Sequence, residues 1–249
     1  MPDNPVLVEV YRGEQVESLH RGSVAAVNAD GELVLSIGNP SKSIYPRSAL
    51  KIFQAIPLIE SGAADRFDVT PAEIALSCAS HSAEDFHLRA VREWLARLDL
   101  GVDDLECGPD LPLMERVAHA LIARGEAPTR AHQNCSGKHV GMLTLAKHLG
   151  VEMRGYSEYD HPTQRAWMQT LSELAEVDAF ALPWERDGCG LPAVCMPLRN
   201  LARAFARYAD VGGGDNNNSR RIFSDRQGAQ RANEGAYANT QPNERGGAT

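Results

Sequence analysis

The spacing of hydrophobic residues changes along the chain, from strand-like at the start to helix-like afterwards. Three short runs rich in Val and Leu, Val6–Tyr11, Ser23–Asn28 and Glu32–Ile37, predict β-strands. The last two runs flank Ala29-Asp30-Gly31, a turn sequence that is typical of a β-hairpin. The first forty residues therefore predict antiparallel β-structure.

From residue 46 onward the apolar residues recur at helical spacing. The first predicted helix, Pro46–Glu60, has a proline in its first turn and Gly62 just beyond its end, and Pro57 should kink or divide it. Six further helices are predicted at Pro71–Cys78, Ser82–Leu98, Leu113–Arg124, Lys138–Leu149, Pro162–Glu176 and Leu198–Tyr208. Strands followed by helices indicate an α+β (mixed α/β) fold with a large helical portion.

The helical pattern ends near residue 211. Residues 211–249 contain seven Gly and six Asn but only four large hydrophobic residues, Val211, Ile222, Phe223 and Tyr237. Such a segment buries too little apolar surface to offset the conformational entropy lost on ordering. We therefore expect one folded domain over residues 1–210 and a disordered tail over residues 211–249.

Composition narrows the classes of protein to consider. With 43% hydrophobic and 23% charged residues, the chain has the composition of a globular protein rather than of a coiled coil or a disordered one. A net charge of −8 argues against nucleic acid or an anionic membrane as the main partner. No apolar run approaches a membrane span, and the start resembles no signal peptide. Five widely spaced cysteines then indicate reduced thiols in the cytoplasm.

Lysine is rare in this chain, with four lysines against twenty-one arginines. Unlike arginine, lysine can lose its proton in a desolvated site and act as a base or a ligand. Lys51 closes Ser48-Ala49-Leu50-Lys51, the only S-x-x-K sequence present. On a helix this spacing places the Ser48 hydroxyl and the Lys51 amine on one face, where a neutral lysine can activate the serine. The alternative is a helix-start serine beside a solvated lysine.

A second group of chemically versatile residues lies in two distant segments, Asn134–His139 and Asp187–Gly190. Cys135 and Cys189 supply thiolates, which are good zinc ligands. A third ligand would be either a deprotonated Lys138 or His139, and the spacing does not choose between them. The alternative is a buried pair of structural cysteines.

Taken in order, five segments resemble the thermolabile, rhizobial-type L-asparaginase II family, over about residues 6 to 210. The segments are Val8–Gly13, Pro46–Lys51, Ser77–His81, Asn134–His139 and Asp187–Pro192. The resemblance implies a fold similar to serine β-lactamases and glutaminases, with an antiparallel sheet beside the helices. It also implies hydrolysis of L-asparagine to aspartate and ammonia through an acyl-enzyme, and we expect a homodimer.

The resemblance further implies three groups of site residues. The catalytic group consists of Ser48 as nucleophile, Lys51 as its base and Ser80 in the proton network. The zinc group, which holds one ion together with a water molecule, consists of Cys135, Lys138 and Cys189. The group that lines the substrate site consists of Arg47, His139 and Asp187.

The chain departs from the family pattern at its end. Members of the family continue with a Lys-x-Gly-Ala-Glu-Gly-type stretch whose lysine joins the Ser-Lys network, but no lysine follows Tyr208 here. We therefore expect a truncated or frameshifted chain that lacks the closing strands of the sheet and has reduced activity. Two alternatives remain open, a non-catalytic zinc-stabilised fragment and another Ser-Lys acyl enzyme of the glutaminase or penicillin-recognising kind. The absence of K-T-G and S-D-N triplets argues against the penicillin-recognising kind.

Overall fold

Helices outweigh strands in the computed structural model, which describes residues 4–210. The predicted tail, residues 211–249, and the predicted loss of closing strands lie outside the described residues. The α-helices of the described part are α1 Lys51–Glu60, α2 Ala63–Arg66, α3 Pro71–Cys78, α4 Asp85–Arg97, α5 Glu115–Ala123, α6 Ser136–Leu149, α7 Pro162–Ala175 and α8 Leu198–Ala209. The predicted α+β class is confirmed.

The first predicted helix differs from the structure at its start. Residues Arg47–Leu50 form a 3₁₀ turn, and α1 begins only at Lys51. Helix α1 then continues through Pro57, so of the two predicted effects, a kink or a division, this proline does not divide the helix. Proline removes a single backbone hydrogen bond from the ladder. Every residue from 51 to 59 is buried, and this packing holds the helix together across the missing bond.

The strands pair two by two in the described residues. The ladders are β1 Val6–Arg12 with β2 Gln15–Arg21, β3 Val24–Val27 with β4 Leu33–Ile37, β5 Ser43–Ile44 with β8 Met196–Pro197, and β6 Trp184–Arg186 with β7 Pro192–Val194. All four ladders are antiparallel. The sequence does not predict β2, since this strand is largely polar and exposed at every position.

Helices α1 and α6 form the centre of the molecule. Helix α1 packs against α3, α6 and α7, and every residue of α6 from Ser136 to Ala146 is buried. The N-terminus of α6 can approach α3 closely because residue 137 is glycine. A Cβ atom on Gly137 would lie 2.7 Å from the carbonyl oxygen of Leu76, well inside van der Waals contact. This close packing places the first turn of α6 against the last turn of α3.

Candidate active site

The S-x-x-K residues are connected through a third side chain. Ser48 lies exposed in the 3₁₀ turn, whereas Lys51 is only 1% exposed. The amine of Lys51 donates hydrogen bonds to the carbonyl oxygen of Ala79 (2.6 Å) and to Oγ of Ser80 (2.8 Å). The Ser80 hydroxyl in turn donates to Oγ of Ser48 (3.2 Å). The three predicted catalytic residues thus form one hydrogen-bonded relay.

The surroundings of Lys51 favour loss of its proton. Burial lowers the pKa of this amine because desolvation disfavours the charged form, and the nearby Lys138 lowers it further. Interaction with Cys135 opposes both effects. A lysine with a lowered pKa at the end of a hydroxyl chain has the chemistry of a general base.

The residue that precedes the nucleophile candidate in the chain forms an ion pair. Nε and Nη2 of Arg47 lie 3.0 and 2.9 Å from Oδ1 of Asp187. Asp187 belongs to the turn between β6 and β7, so this turn is folded back against the residue that precedes Ser48. The Arg47 side chain is 66% exposed and that of Asp187 13%. Arg47 also has a backbone φ of +50°, an uncommon conformation for a non-glycine residue that is often found at functional sites.

Cys135, Lys138 and Cys189 converge in the interior behind the relay. All three are buried, and the amine of Lys138 lies 3.2 Å from Sγ of Cys189. Interaction with Cys135 lowers the pKa of Cys189, and the same interaction raises the pKa of Cys135. The nearby Lys138 lowers the pKa of both thiols.

His139 is buried in the interior, whereas Ser48 and Arg47 are exposed at the surface. Its Nδ1 is 2.7 Å from the hydroxyl of Tyr156, which also accepts the backbone N–H of Glu106 (2.8 Å). Burial lowers the pKa of His139, so the ring is neutral. Its Nε2 is buried without a hydrogen-bond partner among the described residues.

Comparison with known protein families identifies the family to which the chain is related. The model of the family described as L-asparaginase II matches residues 8–228. The chain belongs to the L-asparaginase II family. A search of curated proteins gave no match. The predicted resemblance is therefore confirmed, and the match extends beyond the predicted domain boundary at residue 210.

Membership of the L-asparaginase II family indicates an enzyme of the amidohydrolase class, of the asparaginase type. The family implies a small-molecule substrate, asparagine. Between residues 4 and 210, no helix has both the length and the apolar character needed to cross a membrane.

The donor chemistry of the predicted zinc residues fits the ion. Two sulfur atoms and one amine converge in a buried space, and thiolates are preferred zinc ligands. Within residues 4–210, no cluster of three or more His, Cys, Asp or Glu side chains has metal-binding geometry. The predicted set contains two such side chains and completes its donors with Lys138, so its use of zinc stays a prediction.

Two contributors to this site carry no signal in the sequence. The carbonyl oxygen of Ala79 accepts a hydrogen bond from Lys51, and a backbone atom has no sequence signature. Tyr156 holds His139 from a loop between α6 and α7, and nothing in its local sequence distinguishes it from a core tyrosine. Contacts of this kind become visible only when the packing of the helices is known.

Proposed function

We propose that the protein is an L-asparaginase that hydrolyses the side-chain amide of L-asparagine through an acyl-enzyme on Ser48. The observation that carries this proposal is the Ser48–Ser80–Lys51 relay in a member of the L-asparaginase II family. An exposed hydroxyl connected to a buried amine is the arrangement that Ser-Lys nucleophilic catalysis requires.

The relay would work by reversing the direction of its hydrogen bonds. In the resting arrangement Lys51 donates to Ser80 and Ser80 donates to Ser48. When Lys51 is neutral, its lone pair can accept the Ser80 proton while Ser80 accepts the proton of Ser48. The Ser48 oxygen then attacks the amide carbon, and the same proton returns through the relay to the leaving nitrogen. Ammonia departs, and water hydrolyses the acyl-enzyme to aspartate.

The Arg47–Asp187 pair supplies both charges that recognition of a free amino acid requires. A guanidinium group suits the α-carboxylate of asparagine, and a carboxylate suits its α-ammonium group. Arg47 directly precedes Ser48 in the chain and holds Asp187, so binding through this pair would bring the side-chain amide towards the nucleophile. His139 is buried next to Cys189. Its contribution to the substrate site would be to hold the segment that carries Cys189 and Asp187 in place.

We further propose that Cys135, Lys138 and Cys189 hold one zinc ion. When bound, the ion would neutralise the two thiolates and would order the buried segments that carry Cys135 and Cys189. Metal analysis of protein prepared without chelator tests this assignment: we expect one zinc per chain, and a metal-free protein with both thiols freely titratable would contradict it.

Substrate comparison tests the enzymatic proposal. Purified protein should release ammonia from L-asparagine, and the matched Ser48→Ala variant should release none above background. Preferred hydrolysis of L-glutamine, or covalent labelling by a β-lactam, would favour the other Ser-Lys acyl enzymes instead. Bound zinc without turnover of either amide would favour a non-catalytic fragment.

The homodimer and the cytoplasmic location stay predictions, and sedimentation analysis of the purified chain tests the homodimer.

A further inference from the structure

The central residue of the relay lies in a segment without regular secondary structure. Ser80 belongs to residues 79–84, which connect α3 to α4 and form neither helix nor strand. Its hydroxyl must nevertheless stay within hydrogen-bond distance of both Lys51 and Ser48. Helices and strands are held by regular backbone hydrogen bonds, which this segment lacks. Contacts of neighbouring side chains therefore have to fix the position of Ser80.

The adjacent residue, His81, makes such contacts with both nitrogens of its ring. The side chain is buried at 3% exposure, and Nδ1 accepts the backbone N–H of Ala83 (3.1 Å). The neutral ring must then carry its hydrogen on Nε2, which lies 2.8 Å from Oγ of Ser136. The Ser136 hydroxyl donates to the carbonyl oxygen of Ala131 (2.9 Å), so it is free to accept from His81. The donor and the acceptor of each of these three hydrogen bonds are thereby determined.

The backbone of His81 adds a second attachment to the same part of the molecule. Its N–H donates to the carbonyl oxygen of Asn134 (3.0 Å). The segment 131–136, which leads into α6, thus holds His81 by its ring and by its main chain. Two residues later, Ala83 is buried with a φ of +57°. This conformation is uncommon for an alanine, so surrounding contacts must maintain it.

We propose that His81 is a positioning residue of the relay, which through Ser136 holds the Ser80 hydroxyl between Lys51 and Ser48. The inference rests on the proposed Ser48 chemistry and deepens it. Displacement of a reacting group by about 1 Å can cost a factor of about 10² in rate. His81 does not act as the base itself, because burial lowers its pKa to about 3 and leaves it without access to solvent.

Two conservative substitutions separate the bonds of the ring. In His81→Asn the side-chain oxygen can still accept the Ala83 N–H, but the donor to Ser136 is lost. In His81→Gln a side-chain N–H can still reach Ser136, but the acceptor for Ala83 is lost. We expect His81→Asn to lower kcat about 10- to 100-fold with KM changed less than threefold. We expect His81→Gln to retain most of kcat.

Ser136 provides the test of the route. Ser136→Ala should reproduce the loss of His81→Asn, and the double variant should show no further loss because both remove one hydrogen bond. His161→Asn is the matched control, since the ring of His161 at the start of α7 also accepts the backbone N–H two residues ahead, that of Thr163 (3.2 Å). This control should keep its kcat, and all variants should keep a cooperative thermal transition.

Labelling of Ser48 by a serine-directed fluorophosphonate supplies a readout that needs no asparagine. The labelling rate should fall in the same order of variants as kcat. A protein that ignores asparagine but shows this order would overturn the proposed substrate and leave the role of His81 intact. Parent-like turnover and labelling in His81→Asn, or losses that simply add in the double variant, would overturn the inference.

Discussion

Removal of the Ser80 hydroxyl is the most direct perturbation of the proposed mechanism. This oxygen accepts a hydrogen bond from Lys51 and donates one to Ser48, at 2.8 and 3.2 Å. Ser80→Ala leaves both of these residues in place but removes the group that joins them. The variant therefore tests proton transfer without changing the nucleophile or the base.

The expected size of the effect follows from the exposure of the site. A positioned general base contributes a factor of about 10² to 10⁴, equal to about 2.7 to 5.4 kcal/mol of activation free energy. Because Ser80 is exposed, a water molecule can enter and restore part of the connection. We therefore expect kcat/KM to fall about 10²-fold, at the lower end of this range. The same water can satisfy Lys51, so the free energy of unfolding should change by less than about 1 kcal/mol.

The assay is steady-state release of ammonia from L-asparagine, with urea unfolding of the same preparations. Ser80→Thr retains a hydroxyl and should recover most of the lost activity. Ser82→Ala is the matched control, because it removes the hydroxyl of Ser82 in the same segment, which donates to Glu84 instead (3.4 Å). Turnover in Ser80→Ala within twofold of an active parent would refute the relay, since Ser48 would then be activated by another group.

Three further outcomes follow from the same geometry. Ser48→Ala should abolish asparagine hydrolysis with little change in thermal stability, because Ser48 is exposed; residual turnover would exclude this nucleophile. Cys189→Ser should lose bound zinc in metal analysis while Cys195→Ser, a change of another cysteine, keeps it. Between pH 6.5 and about 3 the unfolded chain binds a proton at His81 that the native protein does not, so in urea unfolding His81 should contribute about 1.4 kcal/mol of lost stability per unit of decreasing pH. A pH slope that is the same in His81→Asn would contradict this assignment.

Helical periodicity was the most reliable part of the sequence pattern. The long amphipathic segments are confirmed with small differences at their ends, and α3, Pro71–Cys78, begins and ends as predicted. Its limits are clear in the sequence because Thr70 and Glu73 form a capping box around a proline in the first turn. Strand β2 has no such signal, since it is held by pairing with β1 rather than by a buried apolar face.

The catalytic geometry was only partly predictable for a related reason. Helical spacing places Ser48 and Lys51 near each other, but it does not reveal that Ser80 connects them. Residues 47–50 form a 3₁₀ turn rather than the first turn of α1, so the direct pairing expected of an α-helical S-x-x-K is replaced by a bridged one. The bridging residue comes from the segment that follows α3, and only tertiary packing brings it there.

The scarcity of lysine has a physical explanation in this packing. Lys51 and Lys138 lie in the first turns of two helices that contact each other, and both amines are buried beside thiols. A buried ammonium group is costly without partners, and here carbonyl oxygen, hydroxyl and thiolate groups surround the two amines. A guanidinium group could not lose its proton in this environment, so arginine would leave a permanent charge at both positions. Lys42, by contrast, is exposed. Burial, rather than rarity, therefore separates the lysines that can perform chemistry from those that cannot.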